Sequence, residues 1–188
     1  ESWEKQKDIK NVMLFLQGYG VSTAYAAKIY RCYGKESIDK VKENPYRLAD
    51  DIWGIGFKTA DGIASKMGYE KNDLRRCKSG LSYTLSSLSD DGHVYAEQEQ
   101  LLKSAIELLE ADQDSIVQAM KEMVESEQLI MDGDVIYLPP FYYAEIGTAN
   151  KLKNLMGSTS MKAVPVQPNI QAISLQTGIE YDDVQVDA

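Results

Sequence analysis

Two short glycine turns, each between helical segments, constrain the fold of this chain most strongly. The first lies in GYGVSTAYAAKIY and the second in WGIGFKTADGIASKM, so that Gly20 and Gly54 are 34 residues apart. Alanines recur early in the helix that follows each turn. This degenerate repeat predicts two helix–turn–helix units in tandem.

The corner formed by Gly54, Ile55 and Gly56 predicts a tight turn around one buried side chain. A helix cannot reverse within two residues unless part of the backbone takes φ > 0, which glycine does without steric cost. We expect both glycines to supply this freedom and Ile55 to enter the groove between the paired helices. The helix that begins at Phe57 has first N–H groups without intrahelical acceptors, so the corner predicts an anion-sized nest.

Two polar side chains beside this nest are candidates for contacts with the same anion. Lys58 supplies an ammonium and Thr59 a hydroxyl. The corresponding candidates in the first turn are Gly20, Val21, Ser22 and Thr23. Ser22 stands where the second glycine would be, so the first nest is predicted to be less complete. The alternative is that both turns are only structural corners of a helical bundle.

The charge distribution places any surface for a polyanion in the first half of the chain. The total charge is −9, but residues 1–90 carry a net charge of +3 and residues 91–188 one of −12. Phosphate contacts are made by Lys and Arg. Further candidates for such contacts are Lys71, Arg75, Arg76 and Lys78. A solvated helix face is an equally good interpretation of this basic cluster.

The composition argues against metal and thiol chemistry. Cys32, Cys77 and His93 are the only cysteines and histidine, too few for a zinc site. Neither a membrane span nor a signal peptide is indicated by the sequence, which predicts a soluble intracellular protein. Because the chain starts at Glu1 rather than Met, we expect it to be part of a longer polypeptide.

The second half predicts helices and one hairpin. Helical periodicity covers residues 73–89, 96–110 and 113–128, and alternation around Asp132 and Gly133 then predicts a two-stranded hairpin. This order is typical of a winged-helix unit. The helix at 113–128 is strongly acidic and would repel a duplex, so we expect a protein-facing or spacer role for this unit.

The residues around the second turn resemble a known motif. LADDIWGIGFKTADGIASKMG matches the helix-hairpin-helix motif, which binds the sugar-phosphate backbone of DNA without reading sequence. Together with GLSYTLSSLSDDGHVY and YLPPFYYAE, the tandem turns resemble the N-terminal region of RecD-like (exodeoxyribonuclease V alpha-type) superfamily 1 DNA helicases.

This resemblance implies a mainly α fold in four regions. They are a tandem helix-hairpin-helix bundle that binds DNA (1–72), a winged-helix-like unit with one small β-hairpin (73–157), a linker (158–170) and the truncated start of the helicase ATPase domain (171–188). In GIEYDDVQVDA, Gln185 matches the family's adenine-contacting glutamine.

The resemblance also implies a division of chemistry between this chain and its parent. No G-x-x-x-x-G-K-[ST] motif is present, so we expect no catalytic residue, metal or cofactor in this chain, and ATP and Mg²⁺ in the parent helicase. The implied partners are single-stranded or forked DNA, the rest of the helicase chain and other repair proteins. The implied process is recombination and repair in the bacterial cytoplasm, at the nucleoid and away from membranes.

Two other functions stay open at this point. The chain could be a protein-interaction module of a repair complex. It could also be a helix-hairpin-helix glycosylase, in which Asp73 lies where a catalytic aspartate would be expected. Of the aromatic side chains near the turns, Tyr19 and Trp53 could stack on a base, although burial is the expected state of Trp53.

Overall fold

The structure is a computed structural model that describes residues 2–157 and 173–178, with side chains from residue 6 onward. Gln185 and the linker predicted at 158–170 lie outside these two ranges. The chain divides into two units, Glu1–Ala144 and Glu145–Ala188. In the second unit, residues 173–177 are helical and Gly178 has φ +68°.

The first part of the chain consists of short helices. They are α1 (Ser2–Gly18), α2 (Thr23–Tyr33), a 3-10 turn (Gly34–Glu36), α3 (Ser37–Glu43), α4 (Arg47–Asp51) and α5 (Phe57–Lys66). We call α1, α2 and the turn between them the first hairpin, and α4, α5 and their turn the second hairpin. The α3 helix stops before Pro45 because proline disfavours helical backbone in the residue that precedes it.

The next part contains helices and a small sheet. Its elements are α6 (Leu74–Asp90), β1 (Ala96–Glu97), α7 (Gln98–Leu109), α8 (Gln113–Glu125), β2 (Ile130–Asp132), β3 (Val135–Tyr137) and α9 (Pro139–Gly157). The predicted hairpin at Asp132 and Gly133 is confirmed. The extended stretch before α7 is a third strand, antiparallel to β3, with Ala96 opposite Ile136.

The prediction of a mainly α fold is confirmed, with one addition to the sheet. β1 pairs with only two residues of β3, and so short a strand has too little alternation to be identified from sequence. With it, the elements from α6 to β3 follow the order typical of a winged helix. The predicted acidic helix is α8, and it begins at Gln113 as expected. The Asp112 carboxylate caps this helix by accepting a hydrogen bond from the Ser115 N–H at 2.8 Å.

One continuous apolar core runs through the first unit, from Val12 to Ile136. The same small residue supports close packing in both hairpins, because Ala26 in α2 and Ala60 in α5 are fully buried. The Phe57 ring stacks between the rings of Tyr46 and Tyr83, at centroid distances of 6.2 and 5.4 Å. The core therefore joins the second hairpin to α6, while the domain boundary at residue 72 stays a prediction.

Candidate nucleic-acid interface

The turn of the first hairpin ends α1 and reverses the chain within a few residues. The Val21 N–H donates to the Leu16 carbonyl at 3.1 Å, and the Gly20 N–H donates to the Gln17 carbonyl at 2.9 Å. This pair of bonds is a Schellman motif, and it requires a left-handed residue, which is Gly20 at φ +77°. Val21 is only 4% exposed and anchors the turn in the core.

The turn of the second hairpin also reverses the chain, but through a different hydrogen bond. The Ile55 N–H donates to the Ile52 carbonyl at 3.0 Å, which closes a four-residue β-turn. Gly54 has φ +88° at the third position, as a type II turn requires. Ile55 is 2% exposed, so the predicted burial of its side chain is confirmed.

The expectation that Gly56 also needs φ > 0 is wrong. It has φ −96° and ψ 174°, an extended conformation that any residue can adopt. A Cβ built on Gly56 would meet nothing within 4 Å. A single left-handed glycine already reverses the chain in each hairpin, and the second position serves as the N-cap of the next helix.

The two N-caps differ in their side chains, although among the described residues the first two N–H groups of each following helix have no protein acceptor. The Ser22 hydroxyl accepts a hydrogen bond from the Tyr25 N–H at 3.3 Å. Gly56 has no side chain for this purpose, although its carbonyl accepts from the Thr59 N–H at 3.0 Å. Among the described residues, the N–H groups of Phe57 and Lys58 have no protein acceptor. These two donors follow an exposed glycine, on which a Cβ would meet nothing within 4 Å, at the positive end of α5.

Each turn also has a lysine that comes from the other hairpin. The Lys28 ammonium of α2 donates to the Trp53 carbonyl at 3.2 Å and lies 3.1 Å from the position of a Cβ on Gly54. In the reverse direction, the Lys66 side chain of α5 occupies the space where a Cβ on Gly20 would lie. The sequence analysis missed both lysines, because their helical positions do not reveal which turn they reach.

The remaining candidates of the two turns lie near them in different settings. Lys58 is exposed, with its ammonium 5.9 Å from the centroid of the Tyr83 ring. Thr59 is half-buried. Thr23 is exposed and its hydroxyl accepts a hydrogen bond from the Gln17 side-chain amide at 3.2 Å.

The basic cluster that follows the second hairpin is neutralised by carboxylates. Lys71 pairs with Glu110 at 2.5 Å, Arg75 with Asp73 at 2.6 Å, Arg76 with Asp61 at 2.7 Å and Lys78 with Glu122 at 2.7 Å. By contrast, Lys28, Lys58 and Lys66 have no carboxylate partner in the part of the chain that the structure describes. The geometry therefore favours these three lysines, rather than the cluster, as the cations of the candidate interface.

Arg76 has a structural role at the junction of three helices. Its guanidinium makes two hydrogen bonds to the Asp61 carboxylate of α5, at 2.7 and 2.9 Å, and one to the Leu109 carbonyl of α7 at 2.7 Å. The Tyr46 hydroxyl donates to the same carboxylate at 3.0 Å. The hydrogen bonds that the Arg76 guanidinium donates to Asp61 raise the pKa of Arg76, and burial next to Asp61 raises the pKa of Tyr46.

Asp73 has the surroundings of a helix cap rather than of a catalytic base. Its carboxylate accepts from the Arg75 backbone N–H at 2.9 Å, at the start of α6, and also pairs with the Arg75 guanidinium. The side-chain hydrogen bond from Arg75 lowers the pKa of the Asp73 carboxyl. Within the described residues, no group of His, Cys, Asp and Glu could hold a metal ion.

The expected burial of Trp53 is wrong. This side chain is 93% exposed at the tip of the second hairpin. Its counterpart Tyr19 is half-buried, with its ring packed edge-to-face on Phe15 at a centroid distance of 5.0 Å.

Gln185 lies outside the described residues. None of the described helices is long and apolar enough to cross a bilayer.

Comparison with known proteins agrees with the geometry of the hairpins. Residues 5–95 match the family model described as the ATP-dependent RecD2 DNA helicase HHH domain. A curated relative, the ATP-dependent RecD2 DNA helicase of Deinococcus radiodurans, is 23% identical over 171 residues, which cover 84% of this chain and 24% of the relative. The chain thus spans about a quarter of the length of that relative.

Proposed function

From the match of residues 5–95 to the RecD2 helicase HHH domain, we propose that the chain binds the DNA backbone without reading sequence. It would do so as an accessory region of an ATP-dependent RecD-like helicase that acts in recombination and repair. In this proposal ATP and Mg²⁺ bind the parent's motor, and the chain works with the rest of that helicase and with other repair proteins at the bacterial nucleoid.

The observation that carries the proposal is the arrangement at the second turn. Two unpaired N–H groups, a helix N-terminus and the Lys28 ammonium lie around Gly54 and Gly56, and no side chain blocks access to Gly56. Backbone N–H groups at a helix start hydrogen-bond phosphate oxygens, and the helix dipole favours the negative charge. A phosphate is the anion that fits this set of donors in a DNA-binding family.

The first hairpin supports a second, parallel contact. It presents the open start of α2 after Ser22 and the Lys66 ammonium beside Gly20. Two contacts on phosphates fix the position of a DNA strand but carry no information on its bases. Binding at both hairpins is therefore expected to be independent of sequence and sensitive to salt.

The winged-helix-like unit is not part of the proposed interface. Its α8 helix carries several carboxylates, and Glu122 already pairs with Lys78 of α6. An acidic helix would repel a duplex. For this unit we propose contact with the parent helicase or with another protein, which is also the alternative function of the whole chain if it fails to bind DNA.

Substituting Gly56 by aspartate tests the proposed phosphate site. Aspartate is a good N-cap residue, so Gly56→Asp should keep α5 and the fold while it places a carboxylate at the phosphate position. We expect about a tenfold or larger loss of affinity for single-stranded, forked and duplex DNA, measured by fluorescence anisotropy at one fixed salt concentration.

Gly56→Ser is the matched control, because it adds a neutral N-cap and copies the first hairpin. Its affinity should stay within about twofold of the original, and circular dichroism should show both variants folded. The proposal is wrong if Gly56→Asp binds DNA like Gly56→Ser, or if the unaltered chain binds none of the three DNAs.

A further inference from the structure

Trp53 is the most exposed large aromatic side chain of the candidate interface. Tryptophan is highly buried on average in folded proteins, yet this ring is 93% exposed. Both flanking isoleucines, Ile52 and Ile55, are buried in the core. The β-turn that they anchor places Trp53 at its second position, so the turn itself directs the indole to solvent.

The first hairpin shows that an aromatic residue at this position can be packed inside the protein. Tyr19 precedes Gly20 just as Trp53 precedes Gly54, and its ring lies on Phe15 of α1. In the second hairpin the residue that corresponds to Phe15 is Ala49. A methyl group offers an indole almost no surface to cover, so the second hairpin leaves its aromatic ring without an internal partner ring.

The indole is nevertheless held in place and lies beside one cation. Lys28 donates to the Trp53 carbonyl at 3.2 Å, and its ammonium lies 5.7 Å from the centroid of the indole ring and 5.8 Å from that of Tyr25. At this distance the ammonium is attracted electrostatically to the face of the aromatic ring. An anchored backbone and a neighbouring cation limit the freedom that the ring would lose when it binds a ligand.

The charges around Trp53 select the class of ligand. An apolar protein partner would have to cover the ammonium of Lys28 and the open N–H groups at the start of α5, which costs free energy unless they are paired. A nucleotide pairs them, because it joins an anionic phosphate to a flat aromatic base. Bases stack on exposed aromatic side chains in proteins that bind single strands.

We propose that Trp53 is a stacking platform for one unpaired DNA base whose neighbouring phosphate lies at the turn of the second hairpin. This inference rests on the proposed function and adds a preference to it. In a duplex both faces of each internal base are already stacked on neighbouring base pairs. The indole therefore gains a partner on single-stranded DNA or at a fork, and little on a blunt duplex.

Intrinsic fluorescence can report the stacking directly. The chain has two tryptophans, Trp3 and Trp53, so Trp3→Phe leaves Trp53 as the only indole. Titration of this variant with a thymidine oligonucleotide should quench the indole emission as binding saturates. A blunt duplex of equal length should raise the anisotropy of a DNA label with much less quenching.

Affinity measurements on a pair of variants complete the test. Trp53→Ala should weaken binding to single-stranded and forked DNA about tenfold and leave blunt-duplex binding within about twofold, whereas Trp53→Phe should retain part of the preference. Tyr19→Phe, a change in the packed counterpart, should leave all three affinities unchanged. Thermal unfolding should show that each variant is folded.

The outcomes separate this inference from the function on which it rests. If Trp53→Ala has no effect, or weakens all three DNAs equally, the stacking platform is wrong, while the phosphate site still depends on Gly56→Asp. If Gly56→Asp has no effect but quenching and the single-strand preference persist, the phosphate site is wrong and the stacking stands. If the chain binds no DNA, both are wrong.

Discussion

The two hairpins reverse the chain at equivalent positions but present different side chains to solvent. Gly20 and Gly54 both have φ > 0, and the residues that follow them, Val21 and Ile55, are both buried. One turn is a Schellman motif at a helix end and the other a β-turn after a short helix. The same reversal is thus reached through different hydrogen bonds, because it needs only a left-handed residue and an apolar anchor.

The two turns differ at two positions: the aromatic residue before the left-handed glycine and the N-cap of the following helix. The first hairpin packs Tyr19 and caps its second helix with Ser22, while the second exposes Trp53 and leaves the cap position to Gly56. The second hairpin therefore has a cap position without a side chain and the only exposed ring of the two. Buried residues at equivalent positions thus preserve the fold of both hairpins, while the exposed positions differ and form the proposed binding surface.

The hairpins also differ in how they are anchored. In α5, Asp61 accepts hydrogen bonds from Arg76 and Tyr46, and Ala27 stands at the corresponding position of α2. An alanine side chain offers no acceptor for the guanidinium. The second hairpin is thereby tied to α6 and α7 by a network that the first hairpin does not have at this position.

Removing this anchor is expected to have the largest effect on stability. Arg76→Ala should lower the free energy of unfolding by about 2–3 kcal/mol, since it leaves a half-buried carboxylate with fewer donors. Urea unfolding followed by circular dichroism measures the change. Lys71→Ala is the control from the same cluster, because the pair of Lys71 with Glu110 is exposed and its loss should change the free energy of unfolding much less. Equal losses in both variants would show that the network is no stronger than a surface ion pair.

Substituting the left-handed glycines is expected to have an intermediate effect. Gly20→Ala and Gly54→Ala should each cost about 1–2 kcal/mol, because a Cβ is strained at positive φ. Gly62→Ala is the control of opposite sign: Gly62 lies inside α5 where a Cβ meets nothing within 4 Å, so the helix should gain about 0.5–1 kcal/mol. Denaturant midpoints compare all three. A neutral Gly54→Ala would mean that the second turn can reverse without a left-handed residue, unlike the first.

Exchanging the two N-caps is expected to have the smallest effect on stability. Gly56→Ser should stabilise the fold by roughly a few tenths of a kcal/mol, and Ser22→Gly should destabilise it by a similar amount, because serine is a slightly better cap than glycine. Differential scanning calorimetry of the single variants and of the double exchange measures both terms. If the double exchange is not close to the sum, the two hairpins are coupled more strongly than their separate turns suggest.

The sequence predicted the local features of the fold well. The turns at Gly20 and Gly54, the helix that begins at Gln113 and the β-hairpin at Gly133 each follow from the chemistry of a few adjacent residues. The third strand was missed because a two-residue strand is defined by its partner, β3, and not by its own pattern.

The candidate interface was predicted less completely. The positive φ of Gly54 and the burial of Ile55 were predicted correctly, but Trp53 was expected inside the protein and the basic cluster was considered for DNA contacts. Burial of Trp53 depends on whether a ring such as Phe15 faces it, and the charge of the cluster depends on carboxylates as distant in sequence as Glu122. Neither condition is visible in the residues themselves.

By itself, the sequence determined where the chain reverses and which residues anchor each reversal, since the steric freedom of glycine and the burial of one apolar neighbour are local properties. The tertiary structure alone decided which cations remain available. Lys28 and Lys66 each reach the turn of the other hairpin, while the cations of the basic cluster are paired. The physical reason is that a charge is neutralised or left open by partners that only packing brings within a few ångströms.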